Sequence, residues 1–235
     1  MDTKQDLPWR LAAAGDFLGR AGIVAYFSWA ASIRVSTIYA GIANWSTLAI
    51  DHKALWLLSQ IAVLLFLLLV VVTTFFRLKP IQSADGIEPR ITALAGTFLL
   101  GLLSFTSSST PPPAVAALGL ALVMGGFALS TYVLFWLGRS FSIMAEARRL
   151  VTSGPYAVVR HPLYLTEELA IIGVVLLDFT LPGLAIGIVH WCLQLRRMHN
   201  EERVLRAAFP EYEAYAATTP RVIPQLFRPL LRGTA

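Results

Sequence analysis

Leu169-Ala170-Ile171-Ile172-Gly173-Val174-Val175-Leu176-Leu177-Asp178-Phe179-Thr180-Leu181-Pro182-Gly183-Leu184, continued through His190-Trp191-Cys192 to Leu195, is the stretch on which the fold turns. It holds one acid, Asp178, followed directly by Thr180-Leu181-Pro182-Gly183 after a single phenylalanine. Two readings fit: one kinked membrane crossing, or two helices turning back at 178–183, each arm rising about 21–24 Å at roughly 1.5 Å per residue. Hydropathy does not separate them, but charge does. Apart from Arg20, near the start of the first apolar stretch, the 19 Lys and Arg flank the apolar stretches rather than interrupt them. A single crossing would put the arginines after Leu195 on the face opposite Arg139, Arg148, Arg149 and Arg160. Cytoplasmic segments carry the basic excess, so a hairpin that keeps both blocks on one side is expected.

The flanking sequence supports a membrane protein. Ala54–Phe76 has no charged side chain and is long enough to cross a hydrocarbon core about 30 Å thick. Ile91–Gly138 is also uncharged, but Ser107-Ser108-Ser109-Thr110-Pro111-Pro112-Pro113 cannot continue a helix, which divides it into spans at 92–107 and 113–137. A first span runs from Asp16 to Ile33, with Arg34 expected to snorkel at the outer interface. The N-terminal segment lacks the pattern of a cleaved signal peptide and is expected to be retained. With both termini cytoplasmic, every Lys and Arg except Arg34 and Lys53 falls on the inner side. Of the 235 residues, 56% are hydrophobic and 14% charged, and the mean hydropathy is +0.64. Soluble domains carry about a quarter charged residues, so a simple soluble enzyme is excluded. The lone Cys192 excludes a disulfide scaffold, and the net charge of +5 reads as the positive-inside bias rather than as a nucleic-acid footprint. The expected fold is an all-α integral membrane protein: four transmembrane helices plus a helical hairpin (five to six membrane helices) and a cytoplasmic C-terminal amphipathic helix. Residues 1–137 form the N-terminal transmembrane part and 138–235 the catalytic region.

Two polar blocks share the cytoplasmic face. The first contains Leu150-Val151-Thr152-Ser153-Gly154-Pro155-Tyr156 and Arg160-His161-Pro162-Leu163-Tyr164. Pro162 can start a helix whose first amides are free for a carboxylate or carbonyl. The second contains Arg196-Arg197, Glu201-Glu202 and Phe209-Pro210-Glu211-Tyr212, then Tyr215. Ordinary explanations exist for parts of both. Arg197 with Glu201, and Glu202 with Arg206, are helical i,i+4 pairs. Glu167-Glu168 suit the first turn of a helix, where acids favour the dipole. His190, Trp191 and Cys192 suit packing on an apolar helix, and Asp178 suits a cap at the hairpin turn. No metal-ligand spacing and no Gly-rich nucleotide loop is present.

Taken in order, the Leu150–Tyr156, Arg160–Tyr164, Glu201-Glu202 and Phe209–Tyr215 elements resemble the isoprenylcysteine carboxyl methyltransferase family, within the wider group of integral-membrane phospholipid methyltransferases. Gly138-Arg139-Ser140-Phe141-Ser142 resembles its bacterial members. The resemblance covers about the last 90 residues; the earlier spans match only as apolar helices. It implies S-adenosylmethionine-dependent methyl transfer at the membrane–cytosol boundary. By the same resemblance Leu150, Val151, Tyr156, His161, Pro162 and Tyr164 line the cofactor pocket, Glu201 and Glu202 meet the cofactor's polar end, and Arg197 binds the acceptor. Arg148 and Arg149 depart from the family's polar pair, and Leu163 replaces a small residue.

The chemistry suits these residue types. Displacement at a sulfonium methyl needs a nucleophile held in line and water excluded, so positioning carries the catalysis. A carboxylate acceptor needs a cation to hold it, which Arg197 or Arg160 supplies with a planar fork. An amine acceptor must lose a proton, for which His161, His199 or a glutamate is suited. Carboxyl O-methylation of a lipid-like or prenylcysteine-like acceptor is the favoured expectation, in a multi-pass protein of the bacterial inner membrane. Phospholipid amine N-methylation, small-thiol S-methylation, an NADPH-dependent lipid or steroid reductase, and a non-catalytic transporter or scaffold are the alternatives. Membrane lipids and a lipid-like or small-molecule acceptor are the expected partners, without nucleic acid.

Overall fold

The computed structural model describes residues 7–47, 52–105 and 110–224. The chain is mostly helical: α1 (Leu7–Ala43), α2 (Lys53–Phe75), α3 (Glu88–Phe98), α4 (Pro113–Leu137), α5 (Pro162–Asp178), α6 (Leu181–Ala208) and α7 (Tyr212–Thr218). Among the described residues, three helical segments are long and apolar enough to cross a membrane: Asp16–Ala43, Lys53–Phe75 and Pro113–Ser140. The expected span at 92–107 is built differently. α3 stops at Phe98 and the chain tightens into a 3-10 helix over Leu99–Phe105. Gly96 and Gly101, weak helix formers, flank the change. The composite of α3 and this 3-10 helix still rises about 30 Å at roughly 1.5 and 2 Å per residue. Ser107–Ser109 lie outside the described residues; Pro113 opens α4 at a position where its missing N–H costs nothing.

The hairpin is present. α5 ends at Phe179, whose φ of 49° is left-handed, and α6 begins two residues later. Thr180, not Asp178, is the N-cap: its hydroxyl oxygen accepts from the Gly183 amide at 3.0 Å and its O–H donates to the Asp178 carboxylate. α6 continues without a break past Leu195, so the expected separate amphipathic helix is the charged half of α6, followed by the short α7.

Small residues let α4 pack tightly between α2 and α5, as backbones approach closely in membrane helix pairs. A Cβ on Gly126 would come within 2.4 Å of the Ala170 amide nitrogen, and one on Gly173 within 2.6 Å of the Gly119 carbonyl. Ser130 donates to the Thr166 hydroxyl across the same contact at 2.9 Å.

The charged segments converge at one end of the bundle. A two-stranded antiparallel ladder, absent from the all-α expectation, joins β1 (Gln82–Ser83) to β2 (Glu146–Ala147). Arg77 pairs with Asp16 at 2.5 Å, and Arg139 donates to the Phe76 carbonyl at 2.7 Å. Arg148 donates to the Leu78 carbonyl and pairs with Glu146. The start of α1, the loops 76–87 and 138–161 and the charged half of α6 thus lie together. Arg34 does not reach outward; it donates to Gln60 on α2.

Candidate active site

A cavity of about 390 Å³ opens inside this charged end and continues between the apolar helices. α6 supplies one wall through His190, Gln194, Arg197, Glu201 and Leu205, a stripe with the spacing of one helix face. α5 supplies the facing wall through His161, Tyr164, Glu167 and Ile171. Leu150, Val151, Tyr156 and Arg160 close the charged end, while Tyr26, Phe27, Phe66, Val70 and Phe127 from α1, α2 and α4 form the apolar end. Both the N-terminal helices and the C-terminal region build this space.

Of the residues singled out in sequence, Leu150, Val151, Tyr156, Arg160, His161, Tyr164, Arg197 and Glu201 line the cavity; Pro162 and Glu202 do not. Pro162 is the buried first residue of α5. Glu202 is 1% exposed and bound from all sides. His161 Nε2 donates to its Oε1 at 3.0 Å, and Arg221 donates from Nε and a terminal nitrogen at 2.9 Å each. Arg160 and Arg206 stand 3.4 and 3.5 Å away. Burial alone would raise this carboxyl's pKa, but the hydrogen bonds from His161 and Arg221 outweigh it and hold Glu202 well below the usual carboxylate range. The helix-start amide of His161 is not free either. It donates to the Arg221 carbonyl at 3.1 Å, and the Arg160 amide donates to Pro220 at 2.8 Å.

Arg221 was not foreseen, because nothing in Thr219-Pro220-Arg221 marks it before the chain folds back. Of the pair, the sequence favours Glu202, but Glu201, four residues after Arg197 and seven after Gln194, is the one on the cavity face, and Glu202 is turned about 100° away. Glu201 Oε2 lies 3.9 Å from His161 Nδ1. Tyr215 donates to the Tyr156 carbonyl at 2.6 Å, tying α7 to the loop that closes the cavity. Burial pushes the phenols of Tyr156, Tyr164 and Tyr212 up, and that of Tyr215 to about 12, so all four remain hydrogen-bond donors near neutrality.

Farther in, Arg197 donates to Gln194 at 2.7 Å and to the Ile143 carbonyl at 3.2 Å, and stacks over the Tyr164 ring at 5.3 Å. Glu167 and Glu168 are in the second turn of α5 rather than at its dipole-favoured first turn. Glu168 is buried, its Oε1 2.8 Å from His190 Nδ1, so His190 is a polar partner rather than a packing residue. Cys192 faces outward. Among the described residues, no group of three or more His, Cys, Asp or Glu is arranged to hold a metal ion.

The fold and cavity define a helical membrane protein whose polar end and apolar interior share one enclosed chamber. Residues 117–207 match the isoprenylcysteine carboxyl methyltransferase (ICMT) family. The chain is similar to the cobalt-zinc-cadmium resistance protein CzcN of Cupriavidus metallidurans, 36% identical over 55% of this chain and 60% of that protein. It is 30% identical to the nickel-cobalt-cadmium resistance protein NccN of Alcaligenes xylosoxydans xylosoxydans, over 48% of this chain and 53% of that one. It is also 30% identical to protein-S-isoprenylcysteine O-methyltransferase B of Arabidopsis thaliana, over 47% and 59%. The chain thus spans between about half and three-fifths of the length of these relatives.

Proposed function

We propose that the protein is an S-adenosylmethionine-dependent methyltransferase of a bacterial inner membrane, with both termini cytoplasmic, acting on a lipid-like acceptor. The observation that carries this reading is the continuity of one cavity from the His161–Glu201 end to the Phe66–Phe127 end. A polar donor and an apolar-tailed acceptor can meet inside it from opposite sides.

The residues at the polar end suit the cofactor. Glu201 offers a carboxylate to an ammonium group. Arg160 Nε and the Tyr212 hydroxyl are buried on the cavity wall without a hydrogen-bond partner among the described residues, and suit a carboxylate. Leu150, Val151, Tyr156 and Tyr164 offer apolar and aromatic surface to a purine. When bound, S-adenosylmethionine supplies an electrophilic methyl group on sulfur. Glu202 acts behind the wall: it locks His161, Arg160 and the 219–222 segment into the shape that Glu201 completes. The apolar walls exclude water, and Arg197 with Gln194 orients the acceptor head.

A carboxyl acceptor is the chemistry the family name favours, and Arg197 is the cation to hold it. Both terminal nitrogens of Arg197 are already engaged by Gln194 and Ile143, leaving its buried Nε unpartnered among the described residues. The nature of the nucleophile therefore turns on the rest of the headgroup region. The test is calorimetry of the purified protein with S-adenosylmethionine, then incubation with methyl-labelled cofactor and extracted lipids. Binding that Glu201→Ala and His161→Ala each weaken at least about tenfold supports the reading. No binding, or protection from proteolysis by NADPH instead, overturns it. The names of two relatives favour a second reading, in which this methylation contributes to metal resistance. Loss of cobalt, zinc or cadmium tolerance in a strain carrying only Glu201→Ala is its expected signature, and unchanged tolerance refutes it.

A further inference from the structure

Glu167 is the one acidic side chain on the cavity wall with no assigned task. It projects from α5 between Tyr164 and Ile171, six residues beyond His161 and so about 9 Å deeper than the cofactor end. It makes no hydrogen bond or ion pair among the described residues, and it is half-buried, facing the chamber. From α6, Arg197, His190 and Glu201 act on it, and from its own helix Glu168; the walls from α1, α2 and α4 bring no charged side chain. A carboxyl in such a place is costly unless a ligand satisfies it. A carboxylate acceptor would not do so, since it would bring a second negative charge beside Glu167 and Glu168.

We propose that Glu167 is a catalytic base that receives the proton of an amine headgroup, which makes the acceptor of this protein a lipid-like amine rather than a carboxylate. The inference rests on the methyltransferase reading above and deepens it. The ammonium form is drawn to Glu167 and gives it one proton, which frees the nitrogen lone pair. That pair forms the new N–C bond while the methyl C–S bond breaks, its electrons remaining on sulfur as a neutral thioether. The product leaves as a methylammonium, and Glu167 releases the proton to water through the polar end. Glu167 faces the chamber, whose polar end offers the proton a route to water. Glu168 stands behind it on the same helix, its Oε1 2.8 Å from His190 Nδ1.

The experiment uses the full chain in detergent micelles with hexadecylamine and hexadecanoic acid as paired probes. With methyl-labelled cofactor, hexadecylamine should acquire label that survives alkali. Glu167→Gln should lower kcat at least about 100-fold while leaving the Kd for S-adenosylmethionine within about twofold, and Glu167→Asp should recover part of the rate. Without cofactor, calorimetry should show hexadecylamine binding at least about tenfold more weakly to Glu167→Gln than to the parent. Label found only as methanol released from hexadecanoic acid overturns the assignment. So does a Glu167→Gln rate within about threefold of the parent. Failure of the parent protein to bind S-adenosylmethionine is a different result: it removes the methyltransferase reading and this inference with it.

Discussion

Replacing Glu202 by alanine should loosen the end of the protein that closes the cavity. The side chain is 1% exposed and accepts three hydrogen bonds at 2.9–3.0 Å, one from His161 and two from Arg221. Charge-assisted bonds of this kind contribute roughly 1.5–3 kcal/mol each. The Arg221 side chain is 36% exposed, so water replaces part of its two bonds, while His161 at 3% and Arg160 at 14% would lose their shared anion, with only Glu201, 3.9 Å from His161 Nδ1, in its place. Breaking a buried pair costs about 3–5 kcal/mol, and the half-exposed partner brings the expectation for Glu202→Ala to about 3 kcal/mol. In a chain of this size that is roughly 6–12 °C in the unfolding midpoint. Thermal unfolding in micelles measures the total, and limited proteolysis after residues 219–224 measures the local release. The acid dependence has a definite sign. Because the folded carboxyl is held below its unfolded pKa, its contribution is complete above the usual carboxylate range and is lost only as pH falls below it. A midpoint shift under about 2 °C with unchanged cleavage, or a parent protein that loses this stability on titration from pH 8 to 6, would refute the reasoning.

Three further outcomes follow from other contacts. Gly173→Ala places a Cβ 2.6 Å from the Gly119 carbonyl and 2.8 Å from the Val123 amide; after the gain in helix propensity it should cost about 1–2 kcal/mol by thermal unfolding, and a neutral result would contradict the packing of α4 on α5. Tyr215→Phe removes the bond to the Tyr156 carbonyl and should weaken S-adenosylmethionine binding about fivefold in calorimetry, roughly the 1 kcal/mol of one hydrogen bond. Arg197→Lys cannot serve Gln194, Ile143 and the Tyr164 face together, so the acceptor KM should rise about tenfold with cofactor affinity unchanged; an unaltered KM would remove Arg197 from acceptor binding.

The division between what was readable in advance and what was not has a physical basis. The scarcity of charge is a local property, so the apolar stretches around α1, α2 and α4 were legible residue by residue. The hairpin was legible too, because basic residues obey a rule of sidedness that Asp178–Gly183 alone could not reveal. What depended on long-range contact was not. α3 yields to a 3-10 turn in a stretch whose composition reads as one helix, and β1 meets β2 across some 60 positions of chain. Helical periodicity separates Glu201 from Glu202 by face, yet only the fold shows that the second is enclosed by cations, one of which, Arg221, arrives from 19 residues farther along. Glu167 illustrates the same limit. As sequence it is an acid near a helix start; as structure it is a carboxyl in a chamber without a hydrogen-bond or ion-pair partner among the described residues, with His190 beside Glu168 instead. Local sequence determined which segments enter the membrane. Tertiary packing decided which polar groups, among the described residues, stand on the cavity wall without a protein partner, and those are the groups offered to a substrate.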